Sequence, residues 1–336
     1  MKNLSGILSA ICLLPTASHA ADTAFGDLEP YGEVALHRLS DSNFNQHYWS
    51  GDFGVRLKPK DDAKPMNFGF YVGYEGFGFF ENLDDIESTS DIGYPTAAAI
   101  VRSGAHQFSF GVPRSVIGDT FDREDRVGNL LLDFETGLFT DSVRYARLFG
   151  RLIGGGNETI YGVRYDTTWN NTSLSSGFFW GEIYYFEDYS IDTRIFQAAA
   201  EHQIGNISFR VAFEHEQSLL STNILDYSDS VHDSNYSIGA TAVSGKFVYG
   251  LDLTSRNEGD FNQTYLDVFG TYKVNENLMA SVNYVRVATD AWESSLSSIV
   301  VEFTPSASSF IRVSTTHDDD FSGNSAFYEA SVGIRF

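Results

Sequence analysis

The residues best placed to do chemistry in this 336-residue chain are carboxylates crowded into one stretch. Positions 113–157 read PRSVIGDTFDREDRVGNLLLDFETGLFTDSVRYARLFGRLIGGGN, and the first half holds Asp119, Asp122, Glu124, Asp125, Asp133 and Glu135. Such a set attracts cations and generates a field. A run such as DREDR is often only a solvated face. The interleaved Leu130, Leu131, Leu132 and Phe134 argue for a segment that docks, because a purely solvated loop has no use for them. Two other acidic runs, 226–233 (DYSDSVHD) and 317–320 (HDDD), offer hard oxygen ligands for Ca2+, although neither has EF-hand spacing. No other cofactor is expected. The chain carries neither a G-x-S-x-G nucleophile turn nor an H-E-x-x-H metal pair, so it does not read as an enzyme.

The segments around that stretch alternate with period two. Phe53, Val55 and Leu57 interleave with Gly54, Arg56 and Lys58; Phe68, Phe70, Val72 and Tyr74 interleave with Gly69, Tyr71, Gly73 and Glu75. The same pattern recurs at 161–166, 207–214 and 247–254, and it closes the chain in YEASVGIRF, where Tyr328, Ala330, Val332, Ile334 and Phe336 share one parity. Strict alternation is the mark of a strand with one apolar face. Sixteen such segments are predicted, near 31–40, 47–58, 66–77, 95–103, 107–113, 158–168, 172–185, 193–203, 206–216, 235–244, 246–256, 264–274, 277–289, 296–304, 308–317 and 326–336.

A sandwich would alternate in the same way, but its connections would not sort by parity. Here the links after even-numbered strands are mostly short, such as GAH, WNN, IG and SG. The long ones, 78–94, 114–157, 217–234 and 318–325, follow odd-numbered strands. That segregation is expected of a transmembrane antiparallel β-barrel with both termini on one side. Lipid supplies no hydrogen bonds, so the sheet must close and its last strand must pair with its first. Aromatic residues near strand ends (Tyr31, Tyr48, Trp49, Trp169, Tyr184, Tyr185, Tyr236, Tyr265 and Trp292) are then expected to form interfacial girdles. Parity directs Arg56, Lys58 and Arg164 inward. Arg102 shares parity with Ile100, and the roughly 2–4 kcal/mol cost of an arginine in lipid directs it inward as well. His37 shares parity with Glu33 and can join this basic wall, and Arg114 follows directly after the fifth strand.

Residues 1–20 read as an export signal: Lys2, an apolar stretch from Ile7 to Leu14, and small Ser18 and Ala20 before the cut. Residues 21–336 are read as one β-barrel domain. The only cysteine, Cys12, lies in the leader, so the mature chain has no thiol. Lys2 is the leader's only formal charge, so its removal takes the net charge from −23 to −24. Such a charge argues against nucleic acid and against attraction to anionic headgroups. Fifty aromatic residues (28 Phe, 18 Tyr, 4 Trp) and 30 Gly, without helix periodicity, agree with an all-β chain.

The terminal Phe336 with alternating apolar residues behind it, the early PYGEVALHRLS strand, sixteen strands and one very long connection after the fifth resemble the general Gram-negative outer-membrane porins. The likeness is architectural; the PEFGG eyelet sequence of the enterobacterial members is absent. It implies an outer-membrane homotrimer of water-filled barrels in the lipid bilayer, each with its third loop folded into the lumen. Acidic residues of that loop would face basic residues of the wall, with Arg56, Arg102, Arg164 and Arg114 the positions carried over. The solutes would be ions and small hydrophilic molecules, and the net charge of −24 adds the expectation of weak cation preference. A substrate-specific porin with an aromatic track, to which inward Tyr71 could belong, is the alternative. An outer-membrane hydrolase working through His202 or His215 is the remote one.

Overall fold

The computed structural model describes residues 21–22, 26–41, 45–59, 66–80, 90–121, 141–153, 160–185, 189–222, 227–258, 261–320 and 323–336. The leader and the run from Asp122 to Glu135 lie outside these.

Sixteen long strands form one antiparallel sheet. They are β1 (Gly26–Ser40), β2 (Asn45–Pro59), β3 (Asn67–Phe80), β4 (Ser90–Ser103), β5 (His106–Val112), β6 (Tyr161–Trp169), β7 (Thr172–Tyr185) and β8 (Tyr189–Ile204). The second half comprises β9 (Ile207–Thr222), β10 (Tyr227–Ser244), β11 (Phe247–Glu258), β12 (Phe261–Asn275), β13 (Leu278–Thr289), β14 (Glu293–Ser306), β15 (Ser309–Asp320) and β16 (Gly323–Arg335). Each pairs with its chain neighbours, and β16 pairs with β1 through Ser331 opposite His37 and Arg335 opposite Glu33. The Phe336 amide donates to the Gly32 carbonyl at 3.0 Å. The sheet is therefore closed, as a membrane-spanning sheet must be. A two-residue strand, Ala21–Asp22, lies against β1.

Every predicted strand is present, and the register confirms the faces. Outward positions carry exposed Phe68, Phe70, Val72, Phe108, Phe110, Val211, Ile238, Val282 and Val332. Inward positions carry polar side chains. The tight turns fall on one end, where Gly104 (φ +59°) and Gly205 (φ +61°) supply the left-handed backbone that a two-residue hairpin demands.

Three expectations need correction. Much of the predicted outer loops is strand: 217–234 shrinks to 223–226, and 318–325 to 321–322. Polar residues such as Gln217, Ser218, Ser221, Thr222, Ser228, Asp229 and Ser230 fill most positions there, so the apolar alternation that marks a strand fades while the ladder continues. The acidic runs read as candidate Ca2+ ligands lie mostly on β10 and β15. Tyr31, Tyr48 and Tyr265 are not girdle residues. They are buried on inward positions, as the pairing of Tyr48 with His37 requires, whereas Trp169 and Tyr236 are exposed.

The stretch 143–152, read as part of the long loop, is a helix. The long connection contains α1 (Val116–Phe121) and α2 (Ser142–Ile153). Asp141 starts α2: its Oδ1 accepts the Val143 and Arg144 amides at 3.1 and 3.3 Å. Val143, Ala146 and Arg147, spaced i, i+3, i+4, form its buried face.

Candidate functional site

Strand length sets the height at which this connection leaves the wall. β5 has 7 residues and β6 has 9, against 14 in flanking β4 and β7. β4 pairs with β5 only over Ala97–Ser103, and β7 pairs with β6 only over Thr172–Trp180. The wall is notched above β5 and β6, and the chain leaves it part-way up. α1 and α2 then pack on side chains that the register turns inward. Val116, Ile117, Val143, Ala146 and Ile160 bury against Phe179 of β7, Ile195 and Ala199 of β8, and Ala212 of β9.

Gln197 of β8 ties the two helices to the wall. Its Oε1 accepts the Ser115 hydroxyl (3.0 Å) and the Val116 amide (2.8 Å) at the start of α1. Its Nε2 donates to Asp141 Oδ1 (3.0 Å) and Glu214 Oε2 (2.6 Å) at the start of α2. Arg147 donates to the carbonyls of Pro113 (2.8 Å) and Ile160 (3.1 Å), clasping both feet of the connection. Arg144 pairs with Glu75 of β3.

Beside these anchors lies a charged cluster on the inner wall. Asp119 of α1 sits between two arginines, with its Oδ1 3.0 Å from Arg114 Nε and its Oδ2 bonded to Arg164. Arg164 also grips Asp166 at 2.8–3.0 Å and donates to the Ser115 carbonyl at 3.0 Å. Arg114 pairs with Asp52 of β2, its amide donates to the Tyr71 hydroxyl at 2.6 Å, and its guanidinium lies 5.9 Å from the Tyr31 ring. Arg56 also lies 5.9 Å from the Tyr31 ring and bonds Glu29 at 3.0 Å. Burial pushes the Asp119 carboxyl up, but Arg164 and Arg114 outweigh it and hold the group below the usual carboxylate range.

The predicted wall residues divide accordingly. Arg114 and Arg164 converge on Asp119, with Arg56 beside them. Lys58 is inward and exposed, one inward position nearer the turn end than Arg56. Arg102 is inward, as the cost of lipid exposure demanded, yet it sits beside the 104–105 turn and donates to the Gly104 carbonyl at 3.4 Å, away from the cluster. His37 is inward but buried in the seam, bonded to Glu329 and Ser50 at 2.8 Å each. Of the acids, Asp119 lies on α1 between Arg114 and Arg164; Asp122, Glu124, Asp125, Asp133 and Glu135 fall outside the described residues. Sequence reading passed over Asp52 and Asp166, although both share the parity of the arginines it selected. It also missed Gln197 and Glu214, which carry no signal beyond inward parity.

No protein-family profile and no curated protein sequence matches the chain. Solved structures do match it over nearly their whole length. The fold is that of the bacterial outer-membrane porins. The chain aligns with OmpT, an outer membrane protein of Vibrio cholerae, at a TM-score of 0.62 and 11% identity, covering 95% of this chain and 100% of that one. It aligns with the outer membrane channel DcaP of Acinetobacter baumannii at 0.56 and 14% (95% and 100% covered), and with a triple mutant of the Rhodopseudomonas blastica porin at 0.57 and 13% (92% and 100%). At such identities the porin fold is shared while side-chain roles rest on this chain's own geometry.

Proposed function

We propose that this chain is an outer-membrane channel for passive diffusion of ions and small hydrophilic solutes, exported by its leader and working without catalysis. The observation that carries the reading is the part-height departure of the 113–160 connection from a closed, lipid-compatible wall, with both its helices docked on inward side chains beside the Asp119–Arg114–Arg164 cluster. Fixed charges in a narrow, low-dielectric passage sort solutes by sign and size. The cluster sets Glu29, Asp52, Asp119 and Asp166 against Arg56, Arg114 and Arg164. With further acids at 122–135, weak cation preference is the proposed outcome.

A homotrimer fits the same geometry. The notch above β5 and β6 leaves strand edges that a bilayer cannot satisfy, and the outer face of β4 beside it presents the small residues Pro95, Ala97 and Ala99. A neighbouring copy would cover both. Planar-bilayer recording of the refolded protein tests the proposal. Nanosiemens-scale steps closing in threes, with a reversal potential of cationic sign, are expected; folded protein without conductance overturns the reading.

The hydrolase reading has one observation in its favour: His215 Nδ1 lies 3.1 Å from Ser234 Oγ, both on the outer face. Among the described residues no carboxylate or amide hydrogen-bonds His215 to orient it, so the pair lacks the third member of a nucleophilic site. Lipid hydrolysis abolished by Ser234→Ala would reverse this judgement.

A further inference from the structure

The charged cluster has its cations and anions matched. The anchor of α2 does not. Asp141 (2% exposed) and Glu214 (1% exposed) are buried side by side, bridged by the single amide nitrogen of Gln197. Among the described residues neither carboxylate forms an ion pair with an arginine or lysine. The nearby cations are engaged elsewhere: Arg144 with Glu75, and Arg147 with two backbone carbonyls. Further along the inner wall, Arg256 pairs with Asp233 at 3.7 Å, and Glu216 accepts the hydroxyls of Thr193 and Ser218. Glu216 adds another negative charge to the same face.

Two adjacent buried carboxylates cannot both remain ionised without a counter-charge. A metal ion does not fit. Glu214 Oε1 already accepts the Ser142 amide (3.2 Å) and the Asn235 amide (2.5 Å), and Oε2 accepts Ser142 (3.2 Å) and Gln197 (2.6 Å). Both Glu214 oxygens are thus saturated with donors beside the α2 N-terminus, whose dipole favours negative charge. Asp141 Oδ2 is different: it is buried without a hydrogen-bond partner.

We propose that Asp141 and Glu214 share one proton, and that this proton holds the start of α2 on the barrel wall, so that the seat of the connection loosens as the solution becomes alkaline. Burial raises the Asp141 carboxyl above its ordinary range. A group raised on folding contributes its stability at low pH and loses it as pH climbs through the raised value. The anchor is therefore firm in acid, and it weakens from above the ordinary carboxylate range upward.

The effect on conduction rests on the channel reading above, but the anchor itself is measured without it. Hydrogen exchange of the Val143, Arg144 and Tyr145 amides, in refolded full-length protein and corrected for base catalysis, reports opening of α2's first turn. In the wild type, opening should rise about tenfold per pH unit above the ordinary carboxylate range, while the docked pair still holds its proton, and level off once that proton is lost. Asp141→Asn keeps a capping side chain and Glu214→Gln keeps an acceptor; each removes one ionisation and should flatten the profile. Parallel profiles in wild type and variants overturn the proposal. If Glu214→Gln does not fold, Asp141→Asn alone decides. Conductance separates the two readings: wild-type current that flickers increasingly at alkaline pH supports both. A conducting protein with pH-flat exchange leaves the channel and removes the switch, and a silent protein with the exchange profile intact does the reverse.

Discussion

Asp119 shows how little separates a structural ion pair from a functional charge. It is held by Arg114 and Arg164, yet nearly a third of its side chain (31%) is open to solvent, which under the proposed channel function exposes it to passing ions. Replacing Arg164 with Ala leaves Asp166 without that partner and Asp119 with Arg114 alone. The reversal potential across a salt gradient should move further toward cations, and an unchanged potential would show that this arginine lies outside the conducting path. The pH response of Asp119 follows from its sign. A depressed carboxyl contributes above its unfolded value and is lost only as pH falls through the lowered one. Its share of the cation preference should therefore survive at about pH 4, the ordinary aspartate midpoint, and fade only in stronger acid, measurable as reversal potential against pH.

At the scale of elements, the seat of the two helices depends on Phe179. This ring is fully buried on β7's inner face among Val116, Val143 and Ile195, and Arg147 lies 5.8 Å from its centre. Phe179→Ala should cost about 3–5 kcal/mol locally, too little to open a barrel whose strands remain paired. The expected signature is faster proteolysis within 113–160 with strand content intact by circular dichroism. Global unfolding instead would mean that the docked helices hold up the wall. Helix α2 also explains a failure of sequence reading: VRYARLFGRL alternates poorly and carries three arginines, so it read as loop. Its helical period becomes visible only once Val143, Ala146 and Arg147 have a wall to face.

At the scale of the molecule, closure depends on one seam. Glu302 of β14 is fully buried and bonds Arg312 (2.6 Å) and Arg335 (2.8 Å), Glu33 of β1 bonds the same two arginines, and both guanidiniums flank the Phe310 ring at 4.1 and 4.7 Å. The penultimate residue of the chain thus joins β14, β15 and β1. Glu302→Gln breaks a buried pair, at a cost of about 3–5 kcal/mol, and should lower the temperature at which the barrel loses its folded electrophoretic mobility. No change would show that backbone pairing alone holds the seam.

Period-two alternation and the sorting of short from long connections were enough to determine sixteen strands, their faces, and the inward aim of Arg56, Lys58, Arg102 and Arg164. These properties are local, because parity on a strand is settled by its own neighbours and by the cost of a charge in lipid. Which inward residues meet was not local. Arg102 and Arg164 look alike in sequence, yet one sits beside a turn and the other holds Asp119; that depends on height along the barrel, set by register across several strands. The notch, the docking of α1 and α2, the Gln197 bridge and the unpartnered oxygen of Asp141 arise only in the folded barrel, because they depend on the 113–160 connection meeting strands β7 to β9, which lie tens of positions away in the sequence.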